Sequence, residues 1–522
     1  MKLIQQLLNP DIYPHPVKQT ELVETHISWV ILTGDYAYKL KKPVNFGFLD
    51  FSTLAKRKHY CSEELRLNKR LAPQIYLETV AITGDDDSPQ INGSGPVLEY
   101  AVKMRQFRQQ DQFDRLLSRN QLDKQDILDL SQLIARFHQA AQPASKDSEF
   151  GDPEHVYAPA KENFSQIEPL LQNTLDLALL REVADWSRGE FNHARAVMDE
   201  RKRQGLVREC HGDMHLRNIA KYHADIVAFD CIEFNDNLRW IDVISEIAFI
   251  EMDLYDRDRR DFANILLNTY LQITGDYPAM RLLRYYLVYR AMVRAKVDCL
   301  RAHQKDIGAQ EHTKTMNEFR HYLSLAKHFT QPAPPFLLIT SGLSGCGKTY
   351  ASTGLMEYLP FVRIRSDVER KRLFGLAPDQ ASDSAVDSGI YTPQASQKTY
   401  ARLADLARTI LSSQWSVLVD AAFLQQEQRQ QFRDLANELR LPFLILHFDA
   451  PQSVLIERIT HRQLQRSQQQ DASEADLQVL AAQLHRLHPP ASNELAHTLK
   501  IDTSGDLPFA PLAKQIEERL LS

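Results

Sequence analysis

The chain has 522 residues, of which 43% are hydrophobic and 25% are charged, and its formal net charge is -6. These values are typical of globular proteins, and the length allows about two to four domains. An acidic chain is not expected to coat nucleic acid, so general binding to DNA or RNA is disfavoured. The five cysteines are scattered and form no CxxC pair. They therefore favour a reducing cytoplasm over a zinc site or a disulfide framework.

No run of about 18 apolar residues is present, so no membrane span is predicted. The first residues, "MKLIQQLLNPDIYPHP", lack the long apolar core of a signal peptide. Both observations agree with the cytoplasmic location that the cysteines favour.

The N-terminal part of the chain changes from β-rich to helical. The predicted elements in chain order are two strands in 26–42 around the turn Thr33-Gly34-Asp35, a helix over about 53–71, strands over 75–105, and helices from about 124 onward. We therefore expect a small β-rich lobe over about 1–105 and a helical lobe over about 106–328, with a site between them.

A proline-rich segment, "HFTQPAPPF" at 328–336, follows a long helical stretch. Closely spaced prolines cannot continue a helix and favour an extended connector. The next residues, "FLLITSG", are typical of a buried parallel strand that ends in glycine. The sequence thus predicts an N-terminal domain over 1–328, a linker over 329–335, and an α/β domain with a parallel sheet over 336–522.

The motif "HGDMHLRN" at 211–218 places a carboxylate and an amide in one polar loop. Phosphoryl transfer from ATP needs a carboxylate that orients the acceptor hydroxyl and ligands that hold Mg²⁺. Asp213 is the candidate for the first role, and Asn218 and Asp230 are candidates for the second. Asp230 follows the apolar run "IVAF", so the order of these residues is that of a kinase catalytic loop and its metal-binding loop.

A cation for the phosphates is available in the small lobe. Lys39 lies in the middle of the predicted strand "YAYKL", and an acid on the following helix should orient its ammonium group. Glu64 is our choice and Glu63 is the competitor. Only one of these neighbours can face inward on a helix, and the sequence alone leaves the choice open.

Residues 1 to about 325 resemble the aminoglycoside phosphotransferase family, a small-molecule branch of the protein-kinase-like fold. The family motif HGDxHxxN is carried over onto His211, Gly212, Asp213, His215 and Asn218. The two histidines are interpreted as residues that structure the loop, because Asp213 already fills the role of a base. One departure is that no GxGxxG precedes Lys39, since 17–28 contains no glycine.

A second phosphate-binding motif, "GLSGCGKT", lies at 342–349. A strand is predicted before it and a helix after it, which is the context that a P-loop requires. Its glycines let backbone amides turn onto phosphate oxygens, its lysine neutralises the phosphates, and its threonine can bind Mg²⁺. The predicted nucleotide-binding residues are Gly342, Ser344, Gly345, Cys346, Gly347, Lys348 and Thr349.

Later residues suggest what this second site does. Asp367 and Arg370 follow a predicted strand and are three residues apart, so they could orient a hydroxyl and bind an anionic substrate. Asp420 ends another apolar strand and is a candidate metal-binding acid. Ala421 follows it, which favours transfer to a substrate over mechanical ATPase work. Three arginines on one helical face, typical of a kinase lid, are Arg458, Arg462 and Arg466.

Residues 336–522 resemble AAA-type P-loop kinases of the gluconate kinase, zeta toxin and polynucleotide kinase group, on GLSGCGKT and the later residues above. Together the two resemblances imply a bifunctional phosphotransferase. Each domain would use ATP and Mg²⁺ to phosphorylate a hydroxyl of a small-molecule or nucleotide-like acceptor. Two alternatives remain open: the N-terminal domain is a non-catalytic sensor, or the second domain is a polynucleotide 5′-hydroxyl kinase. The acceptors and the oligomeric state are not predicted.

Overall fold

The computed structural model describes residues 2–47, 49–304, 307–378, 380–382, 384, 388–465 and 475–521. The chain forms two compact units, each built from separate stretches of sequence. Unit 1 contains Met1–Leu171, Ser187–Asp253 and Tyr289–His303. Unit 2 contains Gln172–Trp186, Leu254–Val288 and Gln304–Ser522. Unit 2 also includes helical residues that precede residue 332. The domain boundary expected near residue 332 therefore stays a prediction of the sequence.

The strands are divided between the two units. Those of unit 1 are β1 (Glu21–Glu24), β2 (Ser28–Leu32), β3 (Tyr36–Lys41), β4 (Tyr76–Thr83), β5 (Gln90–Ile91), β6 (Val97–Arg105), β7 (Val207–Glu209), β8 (Ile219–Tyr222), β9 (Asp225–Ala228) and β10 (Trp240–Asp242). Those of unit 2 are β11 (Leu337–Ser341), β12 (Val362–Arg365), β13 (Val417–Asp420), β14 (Phe443–Asp449) and β15 (Thr498–Asp502).

Helices occupy most of the remaining described residues. They are α1 (Lys2–Gln6), α2 (Leu54–Asn68), α3 (Phe113–Ser118), α4 (Lys124–Ala140), α5 (Pro153–Ile167), α6 (Thr174–Arg203), α7 (Asp236–Arg239), α8 (Val243–Asp256), α9 (Arg260–Thr274), α10 (Met280–Ala302), α11 (Ala309–Phe329), α12 (Lys348–Leu355), α13 (Ser366–Leu373), α14 (Pro393–Ser412), α15 (Gln426–Leu439), α16 (Gln452–Gln465), α17 (Leu477–Arg486) and α18 (Phe509–Leu521). A search of the described helices finds none that is long and apolar enough to cross a membrane.

Unit 1 begins with a six-stranded antiparallel sheet in the order β1-β2-β3-β6-β4-β5. Lys39 lies in the central part of this sheet, because its strand pairs with β2 on one side and β6 on the other. Helix α2 is capped by Thr53, whose hydroxyl accepts the N–H of Lys56 at 3.3 Å. The helix packs on the sheet through a buried cluster that includes Cys61 of the helix and Val102 of strand β6. This packing brings the acids of α2 to the strand that carries Lys39.

The rest of unit 1 is mostly helical and holds the motif loop between two short strand pairs. Strand β7 pairs with β10, and β8 forms an antiparallel hairpin with β9. The motif at 211–218 lies between β7 and β8, and Asp230 follows β9. The fold class predicted for the N-terminal part, an antiparallel sheet followed by a helical lobe, is confirmed.

Unit 2 is built on a parallel sheet in the order β12-β13-β11-β14-β15. Every residue of β11 and β13 is buried, as expected for central strands that helices cover on both faces. The P-loop connects β11 to α12, so it lies at the carboxyl edge of the sheet, where ligands bind in such folds. The predicted α/β P-loop fold with a parallel sheet is therefore confirmed.

Helix α9 belongs to unit 2 because its polar side chains bind the sheet edge. The Nδ2 group of Asn268 donates to the carbonyl of Phe361 at 2.9 Å, and its Oδ1 accepts the N–H of Arg363 at 2.6 Å. Asn264 donates to the carbonyl of Leu359, also at 2.6 Å. These bonds satisfy buried backbone groups beside β12.

Candidate functional sites

Lys39 is the centre of the candidate site in unit 1. Its ammonium group contacts Glu64 at 2.8 Å and also contacts Asp230. Burial opposes the charged form of Lys39, but these two carboxylates raise its pKa well above the ordinary value. Of the two acids that the sequence left open, Glu64 is buried beside Lys39, whereas Glu63 pairs with Arg66 at 2.8 Å.

A second lysine shares the same acid. Lys41 contacts the other carboxylate oxygen of Glu64 and also contacts Glu233. All three side chains are buried. Burial, together with the nearby Glu64, raises the pKa of Glu233 above its ordinary value, although Lys41 acts in the opposite direction. A chain of alternating charges thus runs from Lys39 through Glu64 and Lys41 to Glu233.

Asp230 is held in an uncommon backbone conformation, with φ of 65°. Such left-handed values are rare for residues other than glycine and occur at functional sites. Its N–H donates to the hydroxyl of Tyr76 at 3.2 Å, and its side chain is half exposed. Partial loss of hydration disfavours the carboxylate, but Lys39 lowers its pKa below the ordinary value. Asp230 is thus an ionised acid at the edge of the site.

Asp213 lies in the motif loop and is bound by Asn218. The Nδ2 group of Asn218 donates to the Asp213 carbonyl at 3.0 Å and to its carboxylate at 3.2 Å. The oxygen of the Asn218 amide is therefore the atom that can serve as a metal ligand. Burial opposes ionisation of Asp213, but His215 and Arg294 hold the pKa of its carboxyl well below the usual range.

The loop that carries Asp213 is fixed from behind by a buried acid. Glu246, on α8, accepts the N–H groups of His211 and Gly212 and contacts His138 Nε2 at 3.1 Å. Gly212 has φ of 90°, and a Cβ there would lie 2.7 Å from the carbonyl oxygen of Leu238. Only glycine fits this close approach without strain.

His211 acts as a structural residue. Its Nε2 lies 2.8 Å from the carbonyl oxygen of Phe229, and its Nδ1 accepts the N–H of Asp213 at 3.3 Å. These bonds require the neutral tautomer with the proton on Nε2. Burial lowers the pKa of His211, which favours that neutral form. The contacts agree with a loop-structuring role.

A polar cavity of about 620 Å³ adjoins the buried Glu233 in unit 1. Its walls combine carboxylates, an arginine and aromatic rings. The lining residues are Gly47, Leu49, Asp50, His59, Tyr60, Glu63, Glu233, Phe234, Asn235, Asp236 and Arg239.

The P-loop of unit 2 is shaped by close backbone contacts. Gly342, Gly345 and Gly347 all have positive φ, and a Cβ on Gly342 would lie 2.4 Å from the carbonyl oxygen of Phe448. Lys348 Nζ donates to the carbonyls of Gly342 at 3.0 Å and Leu343 at 2.8 Å. Cys346 is buried, and Thr349 follows Lys348 in the first turn of α12. The loop has the backbone turns that a phosphate cradle needs.

One P-loop amide is bound by a side chain of the same unit. The N–H of Ser344 donates to Gln483 Oε1 at 2.7 Å, and Gln483 lies on α17. The Ser344 N–H is therefore already hydrogen-bonded within the protein and is not available to a phosphate unless Gln483 moves.

Asp367 and Arg370 both lie on α13, just after β12. Asp367 is partly exposed in the first turn of the helix. Arg370 is buried, and its Nη1 donates to the carbonyl of Ile390 at 2.9 Å and to the Ser396 hydroxyl at 3.2 Å. The guanidinium also lies 5.3 Å from the centre of the Tyr391 ring. Arg370 is therefore positioned by several contacts beside the predicted acid.

Asp420 ends β13 and is buried. Its carboxylate accepts the hydroxyl of Ser352, on α12, at 3.1 Å and lies 3.9 Å from Arg365. Asp420 is thus linked to the helix that begins with Lys348 and Thr349. This position is compatible with an acid that acts near the metal through water.

Two of the three predicted lid arginines are bound to neighbouring backbone. Arg458 donates to the carbonyl of Thr503 at 2.5 Å and lies 3.4 Å from the carbonyl of Gly345 in the P-loop. Arg462 donates to the carbonyl of Ala475 at 2.8 Å. Arg466 lies outside the described residues. Arg458 is therefore the arginine that the structure brings to the P-loop.

Comparisons with known proteins place the chain among its relatives. Residues 337–490 match the sequence model of the AAA domain family. Over 453 residues the chain is 30% identical to uncharacterized protein Rv2004c of Mycobacterium tuberculosis (strain ATCC 25618 / H37Rv). The matched stretch covers 86% of this chain and 88% of that relative. The chain belongs to the family of this mycobacterial protein. The predicted resemblance of its C-terminal part to an AAA-type P-loop domain is confirmed.

Two solved structures each resemble a portion of this family member. Amicoumacin kinase hAmiN, in complex with AMP-PNP, Ca²⁺ and Ami, is 13% identical, with a TM-score of 0.39 and coverage of 62% of this chain and 92% of that chain. A gluconokinase from Sinorhizobium meliloti 1021 is 21% identical, with a TM-score of 0.24 and coverage of 36% and 90%. At these values neither structure assigns an activity to this chain.

Several residues that shape the two sites were not predicted from the sequence. The strongest overlooked signal is Glu246, a lone acid in the apolar run "VISEIAFI", because a buried charge needs hydrogen-bond partners. Lys41 also had a signal, since it lies two residues after Lys39 and so on the same face of the strand. Glu233 and Gln483 had no such signal in the sequence, because neither belongs to a recognisable motif.

Proposed function

We propose that the chain is a phosphotransferase with two nucleotide sites, each of which moves the γ-phosphate of ATP to a hydroxyl group of a small-molecule acceptor. The observation that carries the proposal is the contact of Lys39 with both Glu64 and Asp230. A lysine that is paired with a helical acid and set beside a metal-binding aspartate is the arrangement that phosphoryl transfer requires. Unit 2 contributes the P-loop as the second site.

In unit 1, Asp213 would orient the acceptor hydroxyl. The hydroxyl oxygen attacks the γ-phosphorus, the bond to the β–γ bridging oxygen breaks, and ADP leaves. The hydroxyl proton passes to the Asp213 carboxylate. Since the pKa of Asp213 is low, orientation of the hydroxyl is its main contribution and proton uptake comes late in the step. Asn218 and Asp230 would hold Mg²⁺, and Lys39 would neutralise the phosphates.

In unit 2, the backbone N–H groups of the P-loop would bind the phosphates, and Lys348 would leave its carbonyl partners to neutralise them. Thr349 would bind Mg²⁺ directly, and Asp420 would act through water. Asp367 would orient the acceptor hydroxyl, with Arg370 beside it for an anionic group. Arg458 lies next to Gly345 and could stabilise charge that develops during transfer.

Single-site variants of the full chain test the proposal. Asp213→Ala should abolish one transfer activity and leave nucleotide binding by the P-loop intact, whereas Lys348→Ala should do the reverse. The measurement is phosphorylation of a metabolite pool by the wild type and by each variant, with Mg²⁺ and labelled ATP. If either substitution removes both activities, two independent sites are excluded.

A second candidate function rests on the β1–β2 turn. Residues 25–27 form this turn without a glycine, so the turn departs from the glycine-rich loop that covers the phosphates in protein kinases. Unit 1 would then be a sensor that binds a ligand or nucleotide without chemistry. Magnesium-dependent ATP turnover by the Lys348→Ala chain that is lost in Lys348→Ala/Asp213→Ala would exclude the sensor.

A further inference from the structure

Two lysines of one strand bind a single carboxylate. Lys39 and Lys41 are two residues apart on β3, so their side chains leave the same face of the sheet. Glu64 gives one oxygen to each ammonium group. Its carboxylate is therefore fixed in rotation as well as in position, which a single lysine partner would not achieve.

Glu233 balances the second lysine. Lys41 and Glu64 are fully buried and Glu233 is nearly so. Burial of an unpaired charge is costly, and each charge here has an opposite neighbour. The pairs Lys39–Glu64 and Lys41–Glu233 are together neutral. Asp230, the half-exposed partner of Lys39, is the remaining acid and is the one that can turn toward a metal.

The same bridge connects two parts of the site. Glu233 lies three residues after Asp230, so its contact with Lys41 ties the segment that follows β9 to strand β3. Asp230 has φ of 65° within this segment, a conformation that persists only where the surroundings fix it. Lys41 thus contacts helix α2 through Glu64 and the Asp230 segment through Glu233.

We propose that Lys41 and Glu233 are positioning residues that hold Glu64 and Asp230 around Lys39 before nucleotide binds. This inference rests on the function proposed for unit 1. The Lys39–Glu64 pair is then assembled in the resting protein and needs no separate step that brings helix α2 inward.

The test measures binding of Mg²⁺–AMP-PNP by calorimetry, so that no acceptor is needed. The protein is the full chain with Lys348→Ala, which weakens the P-loop site. Lys41→Met and Glu233→Gln should each raise the Kd at the unit 1 site by ten-fold or more. Lys41→Arg retains a cation between the two carboxylates, so it should keep most of the affinity for Mg²⁺–AMP-PNP that Lys41→Met loses. Lys42→Met is the matched control, because Lys42 pairs with Glu24 outside this network, and its Kd should not change.

Each outcome has a distinct meaning. If Lys41→Met and Glu233→Gln lower the unfolding temperature while the Kd stays at the reference value, the two residues are only structural and the inference is overturned. If Lys39→Met also leaves the Kd unchanged, the function proposed for unit 1 fails as well. Should Lys41→Met not fold, the nearly isosteric Glu233→Gln and the charge-conserving Lys41→Arg decide the question.

Discussion

Glu246 binds the backbone N–H of His211 with both carboxylate oxygens, at 3.0 and 2.9 Å. One of these oxygens also accepts the N–H of Gly212 at 3.0 Å. Burial opposes the charged form, but the hydrogen bonds from His138 and from the backbone N–H of His211 lower the pKa of Glu246 to about 2. An ionised acid inside the helical lobe therefore sets the start of the loop that carries Asp213.

We predict that Glu246→Gln loosens this loop. Hydrogen bonds to charged groups stabilise by about 1.5–3 kcal/mol, and the neutral amide has one acceptor oxygen instead of two. Hydrogen exchange in the peptide that contains 211–218 should become roughly 10- to 100-fold faster, and the phosphotransfer proposed for unit 1 should fall.

The control for this substitution lies on the same helix. Burial raises the pKa of Glu251 well above its ordinary value and so favours the uncharged form of this side chain. Glu251→Gln should therefore leave exchange at 211–218 unchanged. Equal effects of the two substitutions would mean that the charge of Glu246 has no special role in the loop.

The buried His211 predicts a loss of stability on acidification. Its folded-state pKa lies below the ordinary 6.5, so the unfolded chain takes up the proton first as the pH falls. The stability that the neutral ring contributes is complete above about pH 6.5 and decreases as the pH drops below that value. Unfolding temperatures between pH 8 and 5 should fall less steeply for His211→Gln than for the wild type. Parallel pH profiles would contradict the assignment.

The sequence predicted the elements of both units well because their signals are local. Lys39 follows strand periodicity, and the P-loop residues have fixed spacing between a strand and a helix. The assignment of helices to units is different. Helix α9 binds β12 through Asn264 and Asn268, and no local pattern shows which sheet an asparagine on a helix will contact.

The motif residues of the first candidate site have a signal in the sequence, whereas the pairing of the residues around them has none. Asp213, Asn218 and Asp230 follow a recognisable order along the chain. Lys41 and Glu233 are 192 residues apart, and charged residues of these types are common on protein surfaces. Their pairing depends on how α2 packs and on where the segment after β9 runs, which only the tertiary structure determines.

The contact between Gln483 and Ser344 predicts competition with nucleotide at the P-loop. Gln483 Oε1 accepts the N–H of Ser344 at 2.7 Å. A phosphate that binds this N–H must therefore displace the Gln483 side chain. Gln483→Ala should strengthen ADP binding by about five-fold, the value of one hydrogen bond of about 1 kcal/mol. Calorimetry in the Lys39→Met background isolates the P-loop site. Gln478→Ala, an exposed position on the same helix, should have no effect, and weaker binding by Gln483→Ala would instead assign Gln483 to nucleotide binding.

Among the three P-loop glycines, Gly342 is the one at which an added methyl group would meet the closest neighbour. We therefore expect its substitution by alanine to weaken nucleotide binding most. Its φ of 142° is rarely adopted by other residues, and a Cβ would lie 2.4 Å from the Phe448 carbonyl oxygen and 2.7 Å from Cys346 Sγ. The Phe448 oxygen belongs to the backbone of β14 and cannot move without disturbing the sheet. Strain of about 1–3 kcal/mol from the backbone alone, with the clash added, should displace the P-loop.

Gly342→Ala should therefore reduce ADP affinity in the Lys39→Met background by at least about ten-fold, while Mg²⁺–AMP-PNP binding at unit 1, measured with Lys39 intact, is retained. Gly505→Ala is the matched control in unit 2, because a Cβ at that position meets no atom within 4 Å. Unchanged ADP affinity in Gly342→Ala would show that the loop tolerates the methyl group, and the close approach to β14 would then not be what shapes the cradle.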